Sequence, residues 1–242
     1  KRDKIQVHFN LPPKSNQLYK FLLEALDTVL THARPRLWMH LYQLNYEPVV
    51  NKIIEIAKQV GPEKVRLILE EHYIRSDFVP GDDGMGFREA YLKLREAGIE
   101  VRTDRYQGSS GSGQSHNKFF VINDNRLWTG SYNITRRGTF KNTNHGIHIQ
   151  SKELNQIYAD EFEVMWKGRF QKQKWNIVHR HEVSVDGTRI EVYFSPQDYV
   201  GDVIQKKLLE VNSSIEVAMF FLSDTELLNS LALQQERGVA IN

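Results

Sequence analysis

The 242-residue chain carries 32 Lys and Arg against 30 Asp and Glu, with 40% hydrophobic and 26% charged residues, the balance of an ordinary folded protein and neither a disordered nor a membrane-spanning one. It contains no cysteine, which excludes disulfides, thiol nucleophiles and cysteine-bound zinc and leaves His, Ser, Asp, Glu and Lys to carry any chemistry. The length admits one large domain or two modest ones, the net charge of +2 is too small to establish a polyanionic partner, and no apolar run approaches the roughly 20 residues of a membrane helix.

Along the chain, short β-rich runs alternate with longer amphipathic ones. A strand at Ile5–Phe9 precedes a helix from about Asn16, with Leu18, Phe21, Leu22, Ala25, Leu26 and Val29 on one face and Ser15 as its expected cap. Leu37–Tyr42 reads as a strand, Val49–Val60 as a helix and Val65–Leu69 as a strand. Phe87–Ala97 is a helix ended by Gly98, and Glu100–Arg102 resumes extended structure. Trp38, Tyr42 and Tyr46 fall at strand positions, where core packing is the expected role. This alternation implies an α/β fold, a mainly parallel or mixed sheet with helices on both faces.

The same order then begins again. IQVHFN at Ile5 resembles IEVYFS at Ile190, and the run from Leu37 resembles EVAMFFLSDTELLNSL near Glu216, with Asn51 aligned on Asn229. Residues 1–166 therefore form a first half, 167–186 a polar linker, and 187–242 the start of a second copy that stops at its second strand. His179–His181 lies in the linker without acidic or cysteine companions, and no metal site is expected there.

The chemistry concentrates in HNKFFVINDNRLWTGSYN, His116–Asn133. Phosphodiesters repel nucleophiles, so a catalyst without a metal needs an attacking group and cations on the non-bridging oxygens. On a strand, residues two apart share a face, so His116 and Lys118 project together as nucleophile and cation. Ser131 and Asn133, two apart after Gly130, offer a hydroxyl and an amide to the same phosphate.

His116-x-Lys118, the apolar run Phe119–Ile122 and Gly130-Ser131-x-Asn133 together resemble the HxKxxxxD…GSxN signature of the phospholipase D superfamily, and the likeness extends from Ile5 to about Phe170. It implies a metal-independent phosphodiesterase without cofactor, working through a phosphohistidine on His116. A second histidine, from a missing C-terminal segment or a homodimer partner, would act as general acid. The family's acid after the strand is Asn123 here, and its second acid, which holds the histidine, matches Asn144. Both are supporting positions, and both suggest the competing reading of a degenerate phosphate-binding or scaffold module. Asn144 would accept from the imidazole without stabilising its charge, a change that costs about 10⁴ in turnover in the serine triad. His145 is a neighbour without an assigned role.

Arg136, Arg137 and Lys141 follow as candidate substrate contacts, and with the calculated pI of 8.6 they favour a nucleic acid slightly over a phospholipid. The stretch RYQGSSGSGQS before His116 reads either as a flexible loop or a remnant of engineering, or as a substrate-gating loop or phosphate nest. The sequence singles out no compartment, since a mature secreted chain would also lack a signal peptide.

Overall fold

The computed structural model describes residues 4–76, 84–105 and 113–242, so most of the expected glycine-serine loop lies outside the described residues. The first compact unit runs through Gln173 and takes in His179–Glu191. Its strands are β1 (Ile5–Asn10), β2 (Leu37–Leu41), β3 (Val65–Leu69), β4 (Glu100–Thr103), β5 (Lys118–Ile122), β6 (Arg126–Gly130) and β7 (Asn144–Gln150). These form one sheet in the order β1-β7-β6-β5-β2-β3-β4. The helices are α1 (Leu18–Asp27), α2 (Glu47–Val60), α3 (Glu71–Arg75), α4 (Phe87–Glu96), α5 (Arg136–Phe140) and α6 (Lys152–Trp166).

The sheet is mixed. β2, β3 and β4 are parallel neighbours joined through helices, whereas β5, β6, β7 and β1 all pair antiparallel. This is the mixed form of the expected sheet, and the pairing turns antiparallel from β5 onward because the residues joining β5 to β6 are only Asn123–Asn125, so short a turn that it closes only an antiparallel hairpin. The helix expected from Asn16 starts at Leu18 instead, because Ser15 exchanges backbone hydrogen bonds with Leu11 in the preceding turn.

Burial follows the two periodicities. Leu18, Leu22, Ala25 and Leu26 of α1 and Val49, Val50, Ile53, Ile56 and Ala57 of α2 are buried with Met39, Leu67, Phe120 and Trp128 in one core. On the opposite face α6, capped by the Ser151 hydroxyl on the Leu154 amide at 3.2 Å, lies over β2, β5 and β6. There Trp38 stacks on Phe162 with centroids 5.3 Å apart, and the guanidinium groups of Arg36 and Arg66 lie 4.5 and 5.1 Å from its ring. Its packing role is as read from the sequence. β1 is an edge strand, and Val7, Phe9 and Leu11, alternate residues along its run, are half exposed.

Across the end of the expected linker and the start of the expected second copy, Glu182–Val185 (β8) and Thr188–Glu191 (β9) form a hairpin around Asp186 and Gly187, both with positive φ. His179 is buried against the Glu161 carboxylate at 2.9 Å. The second compact unit comprises Lys174–Val178 and Val192–Asn242. It holds α7 (Val200–Leu209), β10 (Ser214–Ile215), α8 (Thr225–Glu236) and β11 (Ala240–Ile241), with β10 and β11 parallel. Met219, Phe220 and Phe221 are exposed. Among the described residues no helix is long and apolar enough to cross a membrane.

Candidate active site

One edge of the sheet gathers the carboxyl ends of β1, β2, β3, β4 and β6 and the amino ends of β5 and β7, a consequence of the alternating strand directions. Lys118 opens β5 opposite Leu41, and one step beyond the Phe119–Thr129 pair the ladder sets it beside Gly130. His116 stands just before the strand. Its segment continues the pairing, since the Tyr42 amide donates to the Asn117 carbonyl at 2.8 Å.

Lys118 is only 9% exposed. Its ammonium donates to the His116 carbonyl at 2.9 Å and lies 4.9 Å from the centre of the Tyr42 ring. Burial pulls its pKa from 10.5 down to about 8, because few partners replace the lost water. The His116 ring meets the same Tyr42 ring edge-on at 4.2 Å. Desolvation there, with the neighbouring Lys118 charge as a smaller cause, holds its pKa below the ordinary imidazole value. The pair therefore rests as a neutral imidazole beside a weakened ammonium, a nucleophile and a cation in one place.

Ser131 and Asn133 come to this edge by a backbone device. Gly130, at φ +155°, lies so close to β7 that a Cβ there would stand 2.3 Å from the His145 carbonyl oxygen, so only glycine fits. Past it the Ser131 amide donates to the His145 carbonyl, and the Ser131 hydroxyl accepts from the His145 amide, each at 3.1 Å. The Asn133 side-chain oxygen is buried without a hydrogen-bond partner. A polar atom left so calls for a donor from a bound group or water.

Asn144 does not contact the His116 ring. Its side-chain oxygen accepts from the Ser131 hydroxyl at 3.1 Å while its amide donates to the Gly138 carbonyl at 3.0 Å, so it positions Ser131 and α5. Asn123 is further from its expected role, at the opposite end of β5, about 16 Å along the strand from Lys118. There it adopts φ 54°, a left-handed conformation that Asn tolerates, and makes a structural knot: its amide nitrogens reach the Arg36 and Thr28 carbonyls at 2.7 and 3.1 Å. Asn123 is a turn residue at the far end of the strand from Lys118. Arg136 and Arg137 are exposed on α5, and Lys141 follows it. The hydroxyl of Thr135 caps this helix, and Asn10 holds its Gly138 carbonyl at 3.2 Å.

Sequence reasoning missed three groups at this edge. Tyr42, expected in the core, is the ring on which His116 and Lys118 rest. Glu70 and Asp104, buried at the ends of β3 and β4, have their acidities weakened by desolvation. They accept from the Tyr73 and Glu71 amides at 3.3 and 3.0 Å and so fix α3. The signal available was position, since polar residues ending parallel strands line the crevice of such sheets.

Comparison with known proteins bears on the same residues. Residues 26–166 match the family described as cardiolipin synthase, PLD-like domain. The chain is 26% identical over 168 residues to the phospholipase D of Rickettsia bellii, covering 69% of this chain and 70% of that one. It is 27% identical over 145 residues to the mitochondrial cardiolipin hydrolase of Canis lupus familiaris, covering 60% of this chain and 50% of that protein, about half its length. In fold it is similar to the phospholipase D family member Nuc from Salmonella typhimurium, with a TM-score of 0.53, 18% identity and coverage of 68% of this chain and 95% of that one. It is also similar to polyphosphate kinase from Porphyromonas gingivalis, with a TM-score of 0.65, 11% identity and coverage of 98% of this chain and 37% of that one.

Proposed function

Because the chain belongs to the phospholipase D-like domain family, we propose that it is a metal-independent phosphodiesterase whose nucleophile is His116. The observation that carries this reading is the shared seat of a neutral imidazole and a buried ammonium on Tyr42, 4.2 and 4.9 Å from its ring. The imidazole attacks phosphorus, and the P–O bond to the leaving group breaks. Lys118 balances charge on the non-bridging oxygens, with the Ser131 hydroxyl as a further donor and Asn133 as a second polar contact. A general acid protonates the leaving oxygen, after which water cleaves the P–N bond and restores the imidazole. Mixing with substrate in EDTA and quenching in alkali should trap acid-labile phosphate on His116. Turnover that vanishes in EDTA and returns with a divalent cation would overturn the mechanism.

The general acid comes, in this reading, from a second half-site, either a further part of a longer chain or another copy. The tandem reading, with a first half at 1–166, a linker at 167–186 and a second copy from 187, is supported by the order α7, β10, α8, β11. It repeats α1, β2, α2, β3 down to the parallel strand pair. The likeness to polyphosphate kinase spans 98% of the chain and so includes this part.

Nucleic acid is the favoured substrate. No Asp or Glu occurs from Asn125 through Lys152, the stretch that carries Ser131, Asn133, Arg136, Arg137 and Lys141, and an uninterrupted basic stretch suits a polyanionic backbone. A phospholipid is the second reading, favoured by half-exposed Val7 and Phe9 on the edge strand and Leu11 just past it and by the likeness to a phospholipase D and a cardiolipin hydrolase. Cleavage of single-stranded DNA or RNA, set against cardiolipin vesicles at equal phosphate concentration, separates the two.

The shifted acidities set the pH dependence. His116 must be neutral to attack, so kcat/KM rises as pH passes upward through its lowered pKa, with the midpoint of that limb below the ordinary imidazole value of 6.5. Lys118 must be charged, so kcat/KM falls as pH passes about 8. A bell with its alkaline limb near 8 is expected. A profile flat to pH 9.5 would remove the Lys118 charge from the mechanism.

A further inference from the structure

No described residue hydrogen-bonds to either ring nitrogen of His116, and the group it was expected to lean on, Asn144, holds Ser131 instead. The imidazole nevertheless has a defined seat. We propose that Tyr42 is a positioning residue for the His116–Lys118 pair, its ring setting the plane of the imidazole and the place of the ammonium. The inference rests on the proposed phosphodiesterase reading and deepens it.

Three observations carry it. First, one ring contacts both groups, the imidazole at 67° and 4.2 Å and the ammonium at 4.9 Å, so moving Tyr42 moves both. Second, the ring is itself held by packing, edge to face on the Tyr73 ring at 5.1 Å, a contact that does not depend on its hydroxyl, which meets the Tyr73 hydroxyl at 2.9 Å and the Gln114 side-chain oxygen at 3.3 Å. Third, β2 grips the segment on either side of His116. His40, fully buried, bonds the Ser115 hydroxyl through Nε2 at 2.9 Å and faces the Asn117 amide nitrogen with Nδ1 at 3.3 Å. An amide nitrogen only donates, so Nδ1 accepts and Nε2 carries the proton. His40 thus holds the side chains that flank the nucleophile while Tyr42, two residues on, contacts its ring. The Tyr42 hydroxyl is no acid or base at neutral pH, since burial and the bond to Tyr73 raise its pKa further above the ordinary phenol value.

The geometry separates ring from hydroxyl. Tyr42→Phe keeps the surface under His116 and Lys118 and should hold kcat within about threefold. Tyr42→Leu removes that surface and should lower kcat about 10–100-fold with KM within about threefold, the loss expected when reacting groups are displaced by an ångström. The second readout is the His116 imidazole titration followed by NMR. Tyr42→Leu should raise its pKa toward the ordinary value as the ring is uncovered, while Tyr42→Phe leaves it in place. If Tyr42→Leu does not fold, Tyr42→Met, closer in volume, takes its place.

Wild-type kcat and an unmoved titration in the Leu or Met variant would overturn the proposal, as would equal losses in Phe and Leu. If the wild-type protein turns over no phosphodiester, the functional reading fails by itself. The titration still decides the positioning, upheld by an upward shift in Tyr42→Leu and overturned by none.

Discussion

His116→Asn is expected to lower phosphodiester turnover by about 10⁴-fold or more, some 5.5 kcal/mol of transition-state stabilisation. Asn matches the imidazole in polarity but forms no P–N bond, so acid-labile phosphate should vanish along with turnover. Folding should be nearly untouched, because His116 is exposed and among the described residues its ring meets Tyr42; substitutions of that kind move stability by about 0.5 kcal/mol or less. An unchanged melting temperature therefore makes the lost activity chemical. His145 supplies the control, as another exposed imidazole at this edge, its amide bonded to Ser131. If His116→Asn kept more than a tenth of the activity while His145→Asn lost it, the nucleophile would be His145 and the strand-spacing argument would be wrong.

That spacing argument was legible because it is local. Side-chain alternation put His116 and Lys118 together, and glycine at 130 announced the close approach to β7 that presents Ser131. The helices α1, α2 and α4 were legible for the same reason, each carrying its own apolar stripe. What escaped depends on which strands become neighbours, and periodicity carries no such information. Tyr42 reads as one more apolar strand position until β5 pairs with β2 and delivers His116 onto its ring. Asn144 matched a histidine-holding acid by order along the chain, but the register of β7 against β6 gives it to Ser131. Asn123 occupies the family's acid position, and the structure puts it in the turn after β5, which begins at Lys118, so the two stand at opposite ends of one strand.

Lys118→Met is expected to cost about 10³-fold in kcat, near 4 kcal/mol, the scale set by removing one preorganised donor aimed at developing negative charge. The same change should leave the fold as stable or more so. An ammonium that is 9% exposed, with its pKa drawn down to about 8, is held against its preference for water, and an apolar chain of similar length removes that penalty while giving up the bond to the His116 carbonyl. Because the folded-state pKa lies below the unfolded value, the penalty is full below pH 8 and fades as pH rises toward 10.5. Melting temperatures of wild type and variant should therefore differ most near neutrality and converge at high pH. Lys118→Arg separates charge from shape. Guanidinium stays protonated throughout, so whatever activity survives its poorer fit should lose the alkaline limb near 8. A limb that persisted in Lys118→Arg would belong to another group, and wild-type turnover in Lys118→Met would mean that the buried cation is a structural ion and the phosphate is neutralised from elsewhere.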